Sequence, residues 1–224
     1  MDNLNRLEEI FRHFPGIGPR QAKRFVYYLQ SKSPAYIKEF IELVDEVKKS
    51  TAECMSCHRF FTNSSKSKSL SHSISDSSAT CSICSDMSRD RKTLMIVARD
   101  SDFETVEKSG AYNGLYFILG GTVPVLDKEP EKRIRLKTLL EKITIANDKQ
   151  TPFTEIILSL NTTSDGEHTT DIVKEGLERI LKTNSANDAS PLVKISILGR
   201  GLSTGAELEY VDGETIRNAL RNRQ

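Results

Sequence analysis

The stretch 94–110, LMIVARDSDFETVEKSG, decides how this chain is read. Its first half, from Leu94 to Ala98, is an unbroken apolar run, the pattern of a strand buried on both faces. Its second half opens on Asp100 and Asp102 and then takes helical spacing. A strand that feeds straight into a helix is the repeating unit of a parallel α/β sheet, whose working groups gather at the carboxyl ends of the strands. The two acids therefore carry two readings. Paired carboxylates hold a divalent metal for phosphoryl chemistry, and negative charge is also favoured at any helix N-terminus.

Working outward, short apolar runs recur at 115–119 (LYFIL), 155–160 (EIILSL) and 193–198 (VKISIL). Helical patterns lie between them, at about 102–109, 130–146, 165–182 and 213–222. This alternation predicts a Rossmann-like sheet covered on both faces. Three loops then matter: those after Ala98, Leu160 and Leu198. In the first, Ser101 and Glu104 have the spacing of a capping box; in the second, Ser164 and Glu167 repeat it. Asp165 and Glu167 also form a second acidic pair that resembles a metal motif. The third loop, GRGLSTGAELEY, is glycine-rich, yet no Gly-Lys-Ser/Thr follows, so a P-loop is not indicated.

The four cysteines form two C-x-x-C pairs, Cys54 with Cys57 and Cys81 with Cys84. Each pair places two thiolates within reach of one ion, and two such knuckles complete a tetrahedral Zn2+ site; disulfides or free thiols are the alternative, which a reducing cytosol disfavours. Four cysteines leave no open position, so the expected zinc is a single structural ion. The spacer 58–80 holds 23 residues, nine of them serines, and reads as a flexible insertion between the knuckles.

Before the cysteines, two helices flank FPGIGPRQAKR. Leu4, Leu7, Ile10 and Phe11 share a face of the first, and Ala22, Phe25, Val26 and Leu29 are the expected inner face of the second. Between them, Gly16 and Gly18 permit positive φ and close backbone approach, and Pro19 suits a first helical turn. Arg20, Lys23 and Arg24 share the opposite face. A helix N-terminus with bare amides can hold a phosphate and the basic triplet can neutralise its neighbours, so this helix-hairpin-helix reads as a DNA-binding element, the alternative being an ordinary helical hairpin with a solvated charged face. A third helix, about 34–49, is expected to turn Tyr36, Ile37, Phe40, Ile41, Val44 and Val47 inward.

The order of these parts resembles the bacterial recombination mediator family RecR. The likeness runs through FPGIGPRQAKRFVYYL, CSICSDMSRDRKTLMIV, VEKSGAYNGLYFILGGTVPVLD, NTTSDGEHTT and GRGLSTGAELEYVDGETIRNAL, covering almost the whole chain. It implies an α+β multidomain protein: a helix-hairpin-helix DNA-binding domain (1–53), a four-cysteine zinc finger with a serine-rich insertion (54–87), a Toprim domain (88–190) and a C-terminal oligomerisation segment (191–224). It further implies dimers joining into a tetrameric ring that binds double- and single-stranded DNA. RecO-like and RecF-like partners would then help it load recombinase onto strands coated by single-strand-binding protein. The DNA-contacting positions carried over are Arg20 and Arg24, with Lys23 between them and the Gly16–Gly18 turn before them.

A departure from the family pattern at the end of the first strand shapes the functional expectation. Toprim enzymes use an acidic residue at the end of the first strand as acid/base, and the RecR family usually keeps a Glu there. Here the matching positions are Ala98 and Arg99. A methyl group moves no proton, and a neighbouring arginine opposes a bound cation. Asp100, Asp102, Asp165 and Glu167 are then expected to form partner-binding or vestigial acidic loops, with no catalytic residue. A Toprim-type magnesium nuclease and a protein scaffold without direct DNA binding stay as alternatives. Composition fits a globular protein and decides little about function: Lys and Arg number 32 against 31 Asp and Glu, so any grip on DNA must come from local patches or from several copies acting together. No apolar run reaches membrane-spanning length and the N-terminus lacks a signal-peptide layout, which makes a cytoplasmic location the expectation.

Overall fold

The computed structural model describes residues 2–62, 79–127, 129–148, 151–184 and 193–199, and in the last stretch 201–202, 205 and 207–221. Most of the serine-rich insertion lies outside the described residues. The chain divides into two units, residues 1–52 with 62–71, and residues 53–61 with 72–224.

The first unit is helical: α1 (Asn3–Arg12), α2 (Pro19–Gln30) and α3 (Pro34–Ser50). The turn between α1 and α2 is possible because Gly16 takes φ 74°, a left-handed conformation that costs other residues energy. Ala22 and Val26 form the buried side of α2, 0% and 4% exposed. Phe11 packs between Phe14 and Phe25, each ring 5.5 Å away. Ser33 caps α3 by accepting a hydrogen bond from the Tyr36 amide. The expected inward face of α3 is not buried: Phe40, Ile41, Val44 and Val47 are 41%, 60%, 54% and 62% exposed, and Tyr36 38%. The apolar stripe at helical spacing is real, but α3 has no buried residue within its own chain.

The second unit holds a four-stranded parallel sheet in the order β4-β3-β5-β6, with β3 (Asp90–Val97), β4 (Gly114–Ile118), β5 (Glu155–Ser159) and β6 (Lys194–Ile197). One face packs Leu94, Ile96, Phe117, Ile156 and Leu158 against α7 (Leu136–Asp148) and α8 (Ser164–Asn184), through Leu139, Ile143, Val173 and Leu177. The other face packs Met95, Val97, Tyr116 and Ile118 around Phe103 of α5 (Asp100–Ser109). The predicted helix 130–146 is divided into α6 (Pro130–Arg133) and α7. Ile134 is extended and buried, and the Arg135 amide donates to the Leu119 carbonyl at 2.8 Å, so the chain leaves the helix to fill the core. The remaining elements are β1 (Thr51–Glu53) and β2 (Phe60–Thr62), which pair as a ribbon, α4 (Ser82–Ser85) and α9 (Gly213–Arg221). Among the described residues no helix is long and apolar enough to cross a membrane.

Both predicted capping boxes are replaced by neighbouring pairs. Helix α5 begins at Asp100, earlier than Ser101 would allow as a cap, and Asp102 reaches back to accept from the Arg99 amide at 3.0 Å. At α8, Thr163 Oγ1 accepts from the Gly166 amide at 3.2 Å, so the capping hydroxyl is one residue earlier than Ser164. Gly166 is required by space: a Cβ there would lie 2.0 Å from the Asn161 carbonyl oxygen. Gly166→Ala is expected to cost about 1–3 kcal/mol through a forced backbone shift. Gly199→Ala, where a Cβ meets nothing within 4 Å, should leave a urea midpoint unchanged; equal midpoints for both would contradict this packing.

Candidate metal centre and nucleic-acid interface

The four cysteines converge as their spacing predicts. Cys54, Cys57, Cys81 and Cys84 are buried, at 0%, 1%, 0% and 6% exposure, and their sulfurs lie within 4.8 Å of one another. A tetrahedron of thiolates bonded to zinc at about 2.3 Å has sulfurs about 3.8 Å apart. The Cys57 and Cys81 sulfurs are separated by 3.6 Å, which matches that spacing and is far from a disulfide. Thiols this close compete for protons. Hydrogen bonds from Cys57, then Cys81 and Cys84, hold Cys54 far below its ordinary value, while the sharing led by Cys54 pushes Cys57 far above. The donor set is all sulfur and closed, so it suits a structural ion of the zinc class.

Neighbouring groups fix the first knuckle against the α/β sheet. The Ile118 amide of edge strand β4 donates to the Cys57 carbonyl at 2.9 Å, which covers a strand edge otherwise open to water. The His58 ring meets Phe117 edge-on at 5.1 Å, and His58 Nδ1 lies 2.8 Å from Glu53, which also pairs with Arg135 at 3.3 Å. The Arg59 guanidinium sits 4.4 Å from the Phe103 ring centroid. From α7, Lys142 Nζ donates to the Ser56 carbonyl at 2.8 Å and to its hydroxyl at 2.9 Å. Burial pulls this ammonium below the ordinary lysine value, and the adjacent Cys84, Cys57 and Cys54 pull it back up. Sequence reading missed Lys142. The available signal was a lysine between Leu139 and Ile143, on the buried side of its helix.

The acidic loops lie at one end of the sheet, because β3 and β5 are parallel neighbours with Val97 beside Ser159. Their carboxylates are engaged locally. Asp100 Oδ1 accepts from the Phe60 amide at 2.9 Å, tying β2 to the start of α5. Asp102 accepts from Arg99, and Asp165 Oδ1 accepts from the Val125 amide at 3.2 Å. Glu167 is exposed in the first turn of α8. Among the described residues, only the four cysteines form a group of three or more possible ligands close enough to share an ion; these acids do not. Ala98 is fully buried beside them and Arg99 is exposed.

The second candidate surface is the exposed side of α2. Gly18 is its N-cap and offers no side chain to the first-turn amides, and a Cβ on Gly16 or Gly18 would meet nothing within 4 Å. Space is therefore open before a helix N-terminus, where an anion is favoured. Gly18 keeps an ordinary φ of −83°, so only Gly16 answers the expected need for positive φ. Arg20, Lys23 and Arg24 are all exposed on the side opposite Ala22 and Val26.

Removing the charge and both hydrogen bonds of Lys142 should loosen the cysteine site. Lys142→Met is expected to surrender bound divalent metal to a chelator about tenfold faster, since partners behind the ligands typically carry such effects. Chelator competition read at equal protein stability checks this, and an unchanged rate would contradict it.

Comparison with known proteins agrees with this architecture. A Toprim domain model matches residues 92–187, and a model described as RecR, C-terminal matches residues 201–224. A recombination protein RecR from Lactococcus lactis subsp. lactis is 30% identical over 98% of this chain and 96% of its own length. Relatives of the same name from Ruegeria pomeroyi and Bacteroides thetaiotaomicron are 29% and 30% identical, over 99% and 95% of this chain and 96% and 89% of their own. With relatives of about 30% identity aligned over nearly the whole chain, and with both family models matching in turn, the chain belongs to the RecR family of recombination proteins.

Proposed function

We propose that the chain is a non-enzymatic DNA-binding mediator of recombinational repair, carrying one structural Zn2+ on Cys54, Cys57, Cys81 and Cys84. The observation that carries this reading is the α2 face, where three exposed cations stand behind an uncapped glycine turn. Contacts of this kind grip phosphates without reading sequence, as a mediator acting on any broken strand requires. The zinc supplies no reaction step; it cross-links the two knuckles. The engagement of Asp100, Asp102 and Asp165 by backbone amides supports the absence of nuclease chemistry, as does a buried methyl group at Ala98.

A nearly neutral monomer gains grip when several hairpins line one ring. Exposed apolar residues at both ends of the chain support such self-association: Ile41, Val44 and Val47 on α3, and Leu202, Tyr210 and Leu220 near the C-terminus. The ring would act with a RecO-like protein, and with a RecF-like one, to load recombinase onto strands coated by single-strand-binding protein. The acidic loops offer a surface to a basic partner.

Arg20→Glu with Arg24→Glu is expected to weaken both duplex and single-strand binding, and to flatten the log–log salt slope by about 0.9 per lost duplex phosphate contact. Unchanged affinity and slope would remove the hairpin from the account. Ile41→Asp with Val44→Asp should lower the native mass of the assembly; a mass equal to that of the unaltered chain would exclude α3 from the subunit contact.

A further inference from the structure

The face of α2 that carries the three cations also carries an aromatic ring. With 3.6 residues per turn, positions 20, 23, 24 and 27 fall on one side of a helix. Ala22 and Val26 mark the opposite, buried side. Tyr27 therefore stands at the middle of the basic face, away from the buried side of the helix. It is 56% exposed, and the Lys23 ammonium lies 5.9 Å from its ring centroid. The next residue makes a useful contrast. Tyr28 meets the Tyr36 ring at 6.4 Å and takes the Lys32 ammonium 4.2 Å from its centroid, so its position is explained within the unit. Tyr27 has no aromatic neighbour among the described ring contacts.

We infer that Tyr27 is a stacking platform for an unpaired base, which makes the α2 face a site for single-stranded DNA. The Gly16–Gly18 turn, Arg20, Lys23 and Arg24 hold phosphates, and the Tyr27 ring receives a base one helical turn beyond Lys23. Phosphate contacts alone do not distinguish a single strand from a duplex. A ring does, because paired bases keep their faces inside the stack, whereas a single strand presents them and stacks without regard to sequence. The adjacent cations give the face the charge complement of a nucleic acid, which argues for that occupant over an apolar protein surface.

This inference rests on the DNA-binding reading above, and the test separates the two. Full-length chain carrying Tyr27→Ala, Tyr27→Phe or Tyr27→Trp is titrated with an oligothymidylate and with a duplex of equal length, across salt. Tyr27→Ala should lower single-strand affinity about tenfold with an unchanged salt slope, leaving duplex affinity unaltered, and Tyr27→Phe should retain binding. The chain has no tryptophan, so Tyr27→Trp introduces a single reporter whose emission the single strand should quench and the duplex should not. Equal losses on both DNAs, or no loss, would overturn the inference, as would a fall in native mass in Tyr27→Ala, which would place the ring between copies of the chain. Failure of the DNA reading itself has a different signature: Arg20→Glu with Arg24→Glu would then leave binding to both DNAs intact.

Discussion

Four thiols held within 4.8 Å of one another impose the constraint on which much of this structure depends. To bring them together, the chain must fold two knuckles back to one point, although 23 residues separate them. The first knuckle then needs an anchor, and it finds one on the α/β sheet. Its Cys57 carbonyl takes the Ile118 amide of the edge strand, its Ser56 takes Lys142, and its trailing Phe60 amide finds Asp100. The cysteine cluster and the sheet are in this sense one structural object. The strand edge is covered by the knuckle, and the knuckle is oriented by the sheet.

That coupling changes the meaning of the acidic loops. In an enzyme of this fold, acids at the ends of adjacent strands converge on a metal and one of them moves a proton. Here the strand is followed by Ala98 and Arg99, and the carboxylates of Asp100, Asp102 and Asp165 serve backbone amides. Asp100 fastens the knuckle, Asp102 starts a helix and Asp165 holds the loop at Val125. Three of the four acids thus have a structural role where the sequence pattern suggests a metal pair. In the function proposed above, contact with DNA falls to the other unit, where the first-turn amides of α2 and three exposed cations stand open.

Much of this was legible in the sequence, for physical reasons that differ by region. The parallel sheet declares itself because strands buried on both faces must be continuous apolar runs, as in LMIVA and LYFIL. The cysteine site is legible because ligand geometry fixes the C-x-x-C spacing. Helix starts were less legible: Ser101 and Ser164 had correct spacing, but Asp102 and Thr163 make the caps, since several side chains near a helix end compete for the same amides. Lys142 was hidden because its partner Ser56 is 86 residues away, a pairing that no local pattern reports. The α3 stripe is legible as apolar, but its direction is not: Ile41, Val44 and Val47 stay exposed within this chain. Periodicity tells which residues seek cover, and it does not tell whether the cover belongs to the same chain.

The central claim is that this chain grips DNA and does not cut it, and one gel tests both halves. Purified, metal-loaded protein is incubated with supercoiled plasmid and magnesium, and the products are resolved with and without deproteinisation. The account predicts a shifted complex that returns to fully supercoiled plasmid once protein is removed. Nicked or relaxed plasmid after deproteinisation, lost in Asp165→Asn with Glu167→Gln, would contradict it.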